Sequence, residues 1–163
     1  MAVPFADPDP RSLAPAFQEP AFPESASQQQ PPPAAISAEV VPLIVVDGAN
    51  VVGSVPDGWW RDRAGAAARL RDRLAAVPAA GLSDVPAPVE VVLVVEGQAR
   101  HTPQTPGGVR VERASGSGDD KIIDVVRGAA ADRRTIVVSA DRGLRERALA
   151  LGAEVRGPSS VPR

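Results

Sequence analysis

The chain has 163 residues and a formal net charge of −2 at pH 7, so it has no global basic field that would indicate nucleic-acid binding. Cysteine is absent and histidine occurs once, which excludes disulfides, thiol nucleophiles and metal sites built from several histidines. Aromatic residues make up only 3% of the chain, and the core must therefore be built from Val, Leu, Ile and Ala.

Residues 1–40 form a segment rich in Pro, Ala, Ser and Gln that lacks the apolar periodicity of a strand or a helix. Such a composition cannot bury enough apolar surface to offset chain entropy, and it predicts a disordered tail. The rest of the chain fits one domain at residues 41–157 and a short C-terminal tail at 158–163. No apolar run approaches the roughly 20 residues of a membrane span, and no signal peptide is apparent, so we expect a cytoplasmic protein.

The domain is organised around residues 43–50, which have the sequence LIVVDGAN. The unbroken aliphatic run predicts a strand at 42–47 that is buried on both faces, as in the centre of a parallel sheet. Asp47, Gly48 and Asn50 then fall at the carboxyl end of this strand. Open α/β sheets place their ligand crevice at that edge, so Asp47 is the first candidate for an acidic site.

The remaining elements alternate along the chain. Helical spacing predicts a helix at 59–77, with arginines on its outer side and an apolar face made of Trp60, Ala64, Ala67, Leu70 and Leu74. Further strands are predicted at 89–95, 109–112, 135–139 and 153–155, further helices at about 119–130 and from Asp141 onward, and loops at 51–58, 78–88 and 97–108. Strands that alternate with helices predict an α/β fold with a mainly parallel sheet and helices on both faces.

Acidic residues follow three of the predicted strands, at Asp47, Glu96 and Asp141. Because the carboxyl ends of parallel strands meet at one edge of a sheet, these side chains are expected to gather there. Asp120 and Asp124 are four residues apart on a predicted helix, so they would lie on one face and could join the group.

Carboxylates gathered in one crevice repel one another, by on the order of 4 kcal/mol for a pair about 4 Å apart at an effective dielectric of about 20. Such a cluster persists if it is protonated or binds a cation, and oxygen ligands without His or Cys suit Mg²⁺ or Mn²⁺. A metal of this kind polarises a phosphodiester and lowers the pKa of a bound water, which predicts phosphodiesterase chemistry. Asn50 could orient the attacking water or a ligand carboxylate because its amide is both donor and acceptor.

Several of these residues also have a purely structural interpretation. Asp119 and Asp141 are well placed to cap helices, and capping does not preclude metal binding. Asp124 can pair with Arg127 on a solvated helix face. Glu96 can be a turn residue. Trp59 and Trp60 fit core packing better than base stacking.

Three blocks of sequence carry a resemblance to a known family: VVDGANVVG at 45–53, GDDKIID at 118–124 and VVSADR at 137–142. They resemble the signature blocks of NYN domains, most closely the YacP-like branch of the PIN-like nuclease superfamily. The resemblance covers about residues 42–157. It implies a PIN-like three-layer α/β/α sandwich around a central, mainly parallel sheet, and a metal-dependent ribonuclease that acts on single-stranded or structured RNA.

By this resemblance, Asp47 is the first metal-binding aspartate of the family and Asn50 its companion asparagine. Asp120 matches the acid that starts the middle helix, and Asp124 matches the acidic position one turn later.

The third block matches with one departure. Asp141 corresponds to the acid after the fourth strand, and Ser139 stands in its usual place. Gly143, however, occupies the position at which many relatives carry a second acid.

We therefore expect an endoribonuclease that depends on Mg²⁺ or Mn²⁺. The expected catalytic residues are Asp47, Asn50, Asp120 and Asp141. The expected metal ligands are Asp47, Asp120 and Asp141, assisted by Asp119 and Asp124, with Ser139 and Glu96 as further members of the site. Contacts with RNA phosphates are expected from Arg61, Arg69, Arg73, Arg100 and Arg142.

Two other classes of function remain open. The first is a non-catalytic NYN module that binds RNA or the ribosome, which Gly143 would explain. The second is a small-molecule α/β enzyme. A dehalogenase-type phosphatase needs an Asp at the position of Ala49, and a Rossmann protein needs a G-x-G-x-x-G motif that residues 48–53 do not supply.

Overall fold

The computed structural model describes residues 40–106, 108–129 and 131–163, so the predicted tail at 1–40 lies outside the described residues except for Val40. Five parallel strands form one sheet in the order β3-β2-β1-β4-β5. The strands are β1 (Leu43–Asp47), β2 (Glu90–Val95), β3 (Val109–Arg113), β4 (Thr135–Val138) and β5 (Glu154–Arg156). β1 lies at the centre and all its residues are buried, as its aliphatic run predicts.

Five α-helices pack on the two faces of this sheet. They are α1 (Gly48–Gly53), α2 (Arg63–Leu74), α3 (Val77–Ala80), α4 (Gly118–Gly128) and α5 (Arg142–Ala150). One core contains side chains of α1, α2 and α3 together with alternate residues of the strands, including Ile44 and Val46. The opposite core contains side chains of α4 and α5 together with the intervening strand residues, including Leu43 and Val45. The predicted three-layer α/β/α arrangement is confirmed.

The predicted helix at 59–77 is interrupted near its start. A single 3-10 turn (Trp59–Arg61) precedes Asp62, whose carboxylate accepts a 2.8 Å hydrogen bond from the backbone N–H of Gly65 and so caps α2. The interruption moves Trp60 off the helix, and 55% of its surface is exposed, so its predicted place in the core is wrong. Arg71, expected on an exposed face, is buried and donates to the Pro103 carbonyl.

Two predicted loops contain short helices. α1 occupies the start of the stretch predicted as a loop at 51–58, because Asp47 caps a helix that begins directly after β1. α3 lies at the start of the loop predicted at 78–88, with Pro78 in its first turn, where the missing N–H costs nothing.

The last residues of the chain, predicted as a tail, pack against the domain. They contain a 3-10 turn (Pro158–Ser160), and Val161 is buried in the core that α1 and α2 cover. The Arg163 guanidinium donates to the Ser54 hydroxyl at 3.0 Å. Among the described residues, no helix is both long enough and apolar enough to cross a membrane.

Candidate active site at the carboxyl edge of the sheet

A cleft of about 280 Å³ opens at the carboxyl edge of the sheet. Its walls come from the residues that follow β1, β2 and β4 and from the first turn of α4. The residues that line it are Asp47, Ala49, Asn50, Glu96, Asp119 and Asp141. Four carboxylates and one amide therefore face the same space, and we call it the carboxylate cleft.

Asp47 is held in one orientation at the floor of this cleft. Its side chain is 7% exposed. One carboxylate oxygen accepts the backbone N–H of Asn50 at 3.1 Å, and the other accepts the Ser139 hydroxyl at 2.8 Å. The Ser139 oxygen is itself buried and accepts the backbone N–H of Asp141 at 3.0 Å. Ser139 thus connects the end of β1 to the start of α5.

Gly48 allows the chain to turn directly after Asp47. A Cβ atom at this position would lie 2.6 Å from the Val94 carbonyl oxygen on the neighbouring strand. Real Cβ contacts are almost never that short, so only glycine lets α1 begin so close to β2. Packing therefore requires the glycine that directly follows Asp47.

The Asn50 amide has a defined orientation in the cleft. Its side-chain oxygen accepts the backbone N–H of Ala140 at 2.8 Å, which ties α1 to the segment after β4. With the oxygen engaged in this way, the amide nitrogen is the group that can donate to a ligand.

Three helices begin at the cleft, and each offers an N–H group to one of its carboxylates. Asp47 caps α1, Asp141 caps α5 by accepting the Leu144 N–H at 2.7 Å, and Glu96 accepts the N–H of Gly118 at the start of α4. The partial positive charge of helix N-termini favours the ionised form of nearby carboxylates. This arrangement offsets part of the repulsion within the group.

Burial and the repulsion between neighbouring carboxylates together raise the pKa values of two acids in the cleft. Burial raises the pKa of Asp47 above its ordinary value, the hydrogen bonds from Asn50 and Ser139 oppose that rise, and the charges of Asp119 and Glu96 add to it. The pKa of Asp119 is also raised, first by burial and then by the charges of Asp141 and Glu96. A bound cation would relieve both effects.

Asp119, and not Asp120, is the residue of α4 that lines the cleft. Counting along the helix, Asp119 is three residues before Ile122 and four before Ile123, so it lies on the side that faces the sheet. Asp120 lies on the outer side, where its side chain is 70% exposed and accepts from Arg147 at 2.8 Å. Asp120 was expected as the α4 acid of the site, but Asp119 is the α4 residue whose carboxylate lines the cleft.

Asp124 also lies away from the cleft. Its side chain is 69% exposed, and the nearest cation is Arg127 at 3.8 Å, which corresponds to the structural interpretation of this residue. The signal that separates Asp119 from its neighbours is helical phase relative to the buried isoleucines, and it was present in the sequence.

The cleft fits a hard divalent cation in donor type, since four of the six residues that line it carry carboxylates. It does not contain a preformed coordination shell. Among the described residues, no three His, Cys, Asp or Glu side chains converge closely enough to hold a metal ion. The cleft thus offers carboxylate oxygens in one place, but these would have to move closer together to coordinate a metal ion.

Comparison with solved structures bears on the fold. The chain is similar to the crystal structure of a mutant of Rae1 (YacP) from Bacillus subtilis, with a TM-score of 0.58 over 74% of this chain and 72% of that one. The chain has a YacP-like fold. Sequence identity is 14%, so this likeness concerns the fold alone. No model of a protein family matches the sequence, and no curated protein sequence matches it.

The arginines predicted to contact phosphates are dispersed over the YacP-like domain. Arg61 is exposed after Trp60, and Arg69 and Arg73 line a small depression on α2 near Arg163. Arg100 donates to the Gly97 carbonyl at 3.1 Å, and Arg142 pairs with Glu146 at 3.0 Å. No arginine is among the described residues that line the carboxylate cleft.

A second cleft of about 280 Å³ adjoins the first and shares Ala49 and Glu96 with it. Its wall contains Trp59 and Arg63, whose guanidinium carbon lies 5.4 Å from the centroid of the Trp59 ring. We call it the tryptophan groove. Arg63 was not among the arginines predicted to contact phosphates, although its spacing of four residues from Trp59 would place both side chains on one face of a helix.

Proposed function

We propose that this domain is an endoribonuclease that depends on Mg²⁺ or Mn²⁺ and hydrolyses RNA phosphodiester bonds in the carboxylate cleft. The observation that carries the proposal is that Asp47, Glu96, Asp119 and Asp141 line one cleft at the carboxyl edge of the sheet. Mutual repulsion and burial make this group costly without a counter-charge, as the raised pKa values of Asp47 and Asp119 indicate.

The four carboxylates would hold the metal, and Asp120 and Asp124 would not. A bound Mg²⁺ or Mn²⁺ supplies polarisation of the phosphodiester and an acidified water. Ser139 and the Asn50 N–H would keep Asp47 fixed, so that little reorganisation is needed at its position. The Asn50 amide nitrogen would donate to the attacking water or to a phosphate oxygen.

RNA as the substrate is supported by the resemblance of three sequence blocks to NYN domains and by the YacP-like fold. The net charge of −2 means that RNA would be held by local contacts. Exposed arginines outside the cleft, such as Arg61, Arg69 and Arg73, are available to contact the backbone. A ribosome-associated or structured RNA is compatible with this mode of binding.

The test is cleavage of a labelled single-stranded RNA with Mg²⁺, with Mn²⁺ and with a chelator. We expect cleavage only with metal, and we expect Asp47→Asn to abolish it while thermal unfolding stays cooperative. Full activity in the chelator, or in the folded Asp47→Asn protein, would rule out the mechanism.

A non-catalytic RNA- or ribosome-binding module is the second candidate. It is favoured by the lack of three converging ligands among the described residues and by Gly143, which stands where relatives of the family carry an acid. Under this alternative, the protein binds RNA equally well with and without divalent metal, and no product forms under any condition.

A further inference from the structure

The tryptophan groove lies directly beside the carboxylate cleft, and Ala49 and Glu96 form the boundary between the two. Most of its lining is apolar and includes Val52, Ala67 and Ala99 as well as Trp59. An extended ligand that occupies one cleft can therefore continue into the other without leaving the surface.

Trp59 is held in the wall of the groove by several contacts. Gly58 turns the chain with a φ of 83°, and the Trp59 N–H donates to Asp57 at 3.1 Å. Its ring meets Trp60 edge to face, with 6.1 Å between ring centroids. The Arg63 guanidinium lies over one face of the ring, at the cation–π distance given above. The ring is only partly exposed, so its position is set before any ligand binds.

The geometry points to a subsite that binds one unpaired RNA base in the tryptophan groove, next to the phosphate in the carboxylate cleft. This inference rests on the proposed function and specifies its substrate as RNA that is single-stranded at the cleavage point. Aromatic rings and arginine planes are the surfaces on which unpaired bases stack, and every base has a face that fits them. A base inside a duplex is already stacked and paired, so it could not enter.

The charge and polarity of the groove agree with this occupant. The guanidinium of Arg63 covers one face of the ring, so it supplies both a second planar surface for a base and a positive charge that suits a ligand carrying phosphates. Glu96 lines both clefts, so the groove begins at one of the carboxylates proposed to hold the metal.

The chain offers a direct spectroscopic test, because Trp59 and Trp60 are its only tryptophans and it has no tyrosine. In the Trp60→Leu protein, all tryptophan emission comes from Trp59. Titration with a short single-stranded RNA, with Mg²⁺ and again with a chelator, should quench that emission. An otherwise identical strand of abasic residues should bind without quenching, since it has no base to stack.

Trp59→Leu provides the matched comparison, since only Trp60, outside the groove lining, then emits. We expect little quenching in this variant, and a Kd for the intact strand raised by about fivefold to a hundredfold, the range expected for one lost base–aromatic stack. The Kd for the abasic strand should be unchanged. Trp59→Phe, which keeps an aromatic face, should restore most of the affinity even if the leucine variant folds poorly.

The subsite is contradicted if the intact strand fails to quench Trp59, if the abasic strand quenches it equally, or if Trp59→Leu binds RNA with unchanged affinity. These outcomes are distinct from failure of the nuclease proposal. Fluorescence and binding require no cleavage, whereas the nuclease proposal fails if folded Asp47→Asn still cuts RNA.

Discussion

The hydroxyl of Ser139 donates a 2.8 Å hydrogen bond to the carboxylate of Asp47, although the two residues are 92 positions apart in the chain. The bond forms because β1 and β4 are neighbours with Val46 opposite Val138, so the residues that follow these strands meet. Ser139 therefore determines how the first acid of the carboxylate cleft is oriented.

Ser139→Ala should lower both stability and activity. The substitution leaves a nearly buried carboxylate oxygen of Asp47 without its hydrogen-bond donor. Urea denaturation should therefore show a free energy of unfolding that is lower by about 1–3 kcal/mol. Activity with Mn²⁺ should fall because Asp47 is no longer held in place. Ser117→Ala is a suitable control, because the Ser117 side chain makes no capping hydrogen bond with α4. Equal losses in both variants would exclude a specific role for Ser139.

Asp47→Asn should raise the melting temperature at neutral pH in the presence of a chelator. The pKa of Asp47 is raised in the folded state, so the ionised carboxylate destabilises the fold above that pKa. As the pH falls through the folded pKa towards the lower unfolded value, wild type takes up a proton and the difference between the two proteins should shrink. Thermal melts of both proteins over this pH range measure the difference in melting temperature. An Asp47→Asn protein that is less stable than wild type at neutral pH would contradict the prediction.

Asp84→Asn is a control for which the opposite change in stability is expected, and Asp84 is not among the residues that line the cleft. Hydrogen bonds from Arg156 lower the pKa of Asp84 in the folded state. Its stabilising effect is present above the unfolded pKa and is lost as the pH falls through the folded pKa. The variant should therefore melt lower than wild type at neutral pH, by a small amount because the pair is exposed, and the difference should vanish in acid.

Much of the fold was predictable because the sheet carries a strong local signal. The aliphatic runs of β1, β2 and β4 are buried on both faces. Short runs of this kind are typical of the central strands of a parallel sheet. The position of Asp47 at the edge of the sheet was predictable for the same reason, since it is the polar residue with which the buried strand ends.

The choice between Asp119 and Asp120 was harder, because adjacent helix positions differ by about 100° in direction. A shift of one residue moves a side chain from the cleft to solvent, and the phase is set by which isoleucines the sheet buries. The break at Asp62 was missed for a related reason. The helical spacing of apolar residues continues across Asp62. Spacing does not reveal that the Asp62 carboxylate accepts the Gly65 N–H and so starts a new helix after it.

Gly48→Ala should destabilise the domain, since the new methyl group would overlap the Val94 carbonyl and the backbone cannot yield cheaply. Overpacking of this kind costs about 1–3 kcal/mol. Gly128→Ala is the matched control at the end of α4, where an added Cβ meets no atom within 4 Å. It should be neutral or mildly stabilising. Urea midpoints of the two variants test the difference, and a neutral Gly48→Ala would show that α1 can shift away from β2.

Asp119→Asn and Asp120→Asn separate the two possible acids of α4. Asp119 lines the cleft with Asp47, whereas Asp120 pairs with Arg147 on the surface. We expect loss of Mn²⁺-dependent RNA cleavage in the first variant and near wild-type cleavage in the second, because exposed ion pairs contribute little. The reverse pattern would mean that α4 is rotated relative to the sheet.

The most direct test of the central claim is a crystal of the protein soaked in Mn²⁺, with the metal located by its anomalous scattering. We expect Mn²⁺ in the carboxylate cleft, bound by oxygens of Asp47 and Asp119, with Glu96 or Asp141 completing the coordination shell. Manganese bound at Asp120 and Asp124, or a cleft without bound Mn²⁺ at saturating concentration, would contradict it.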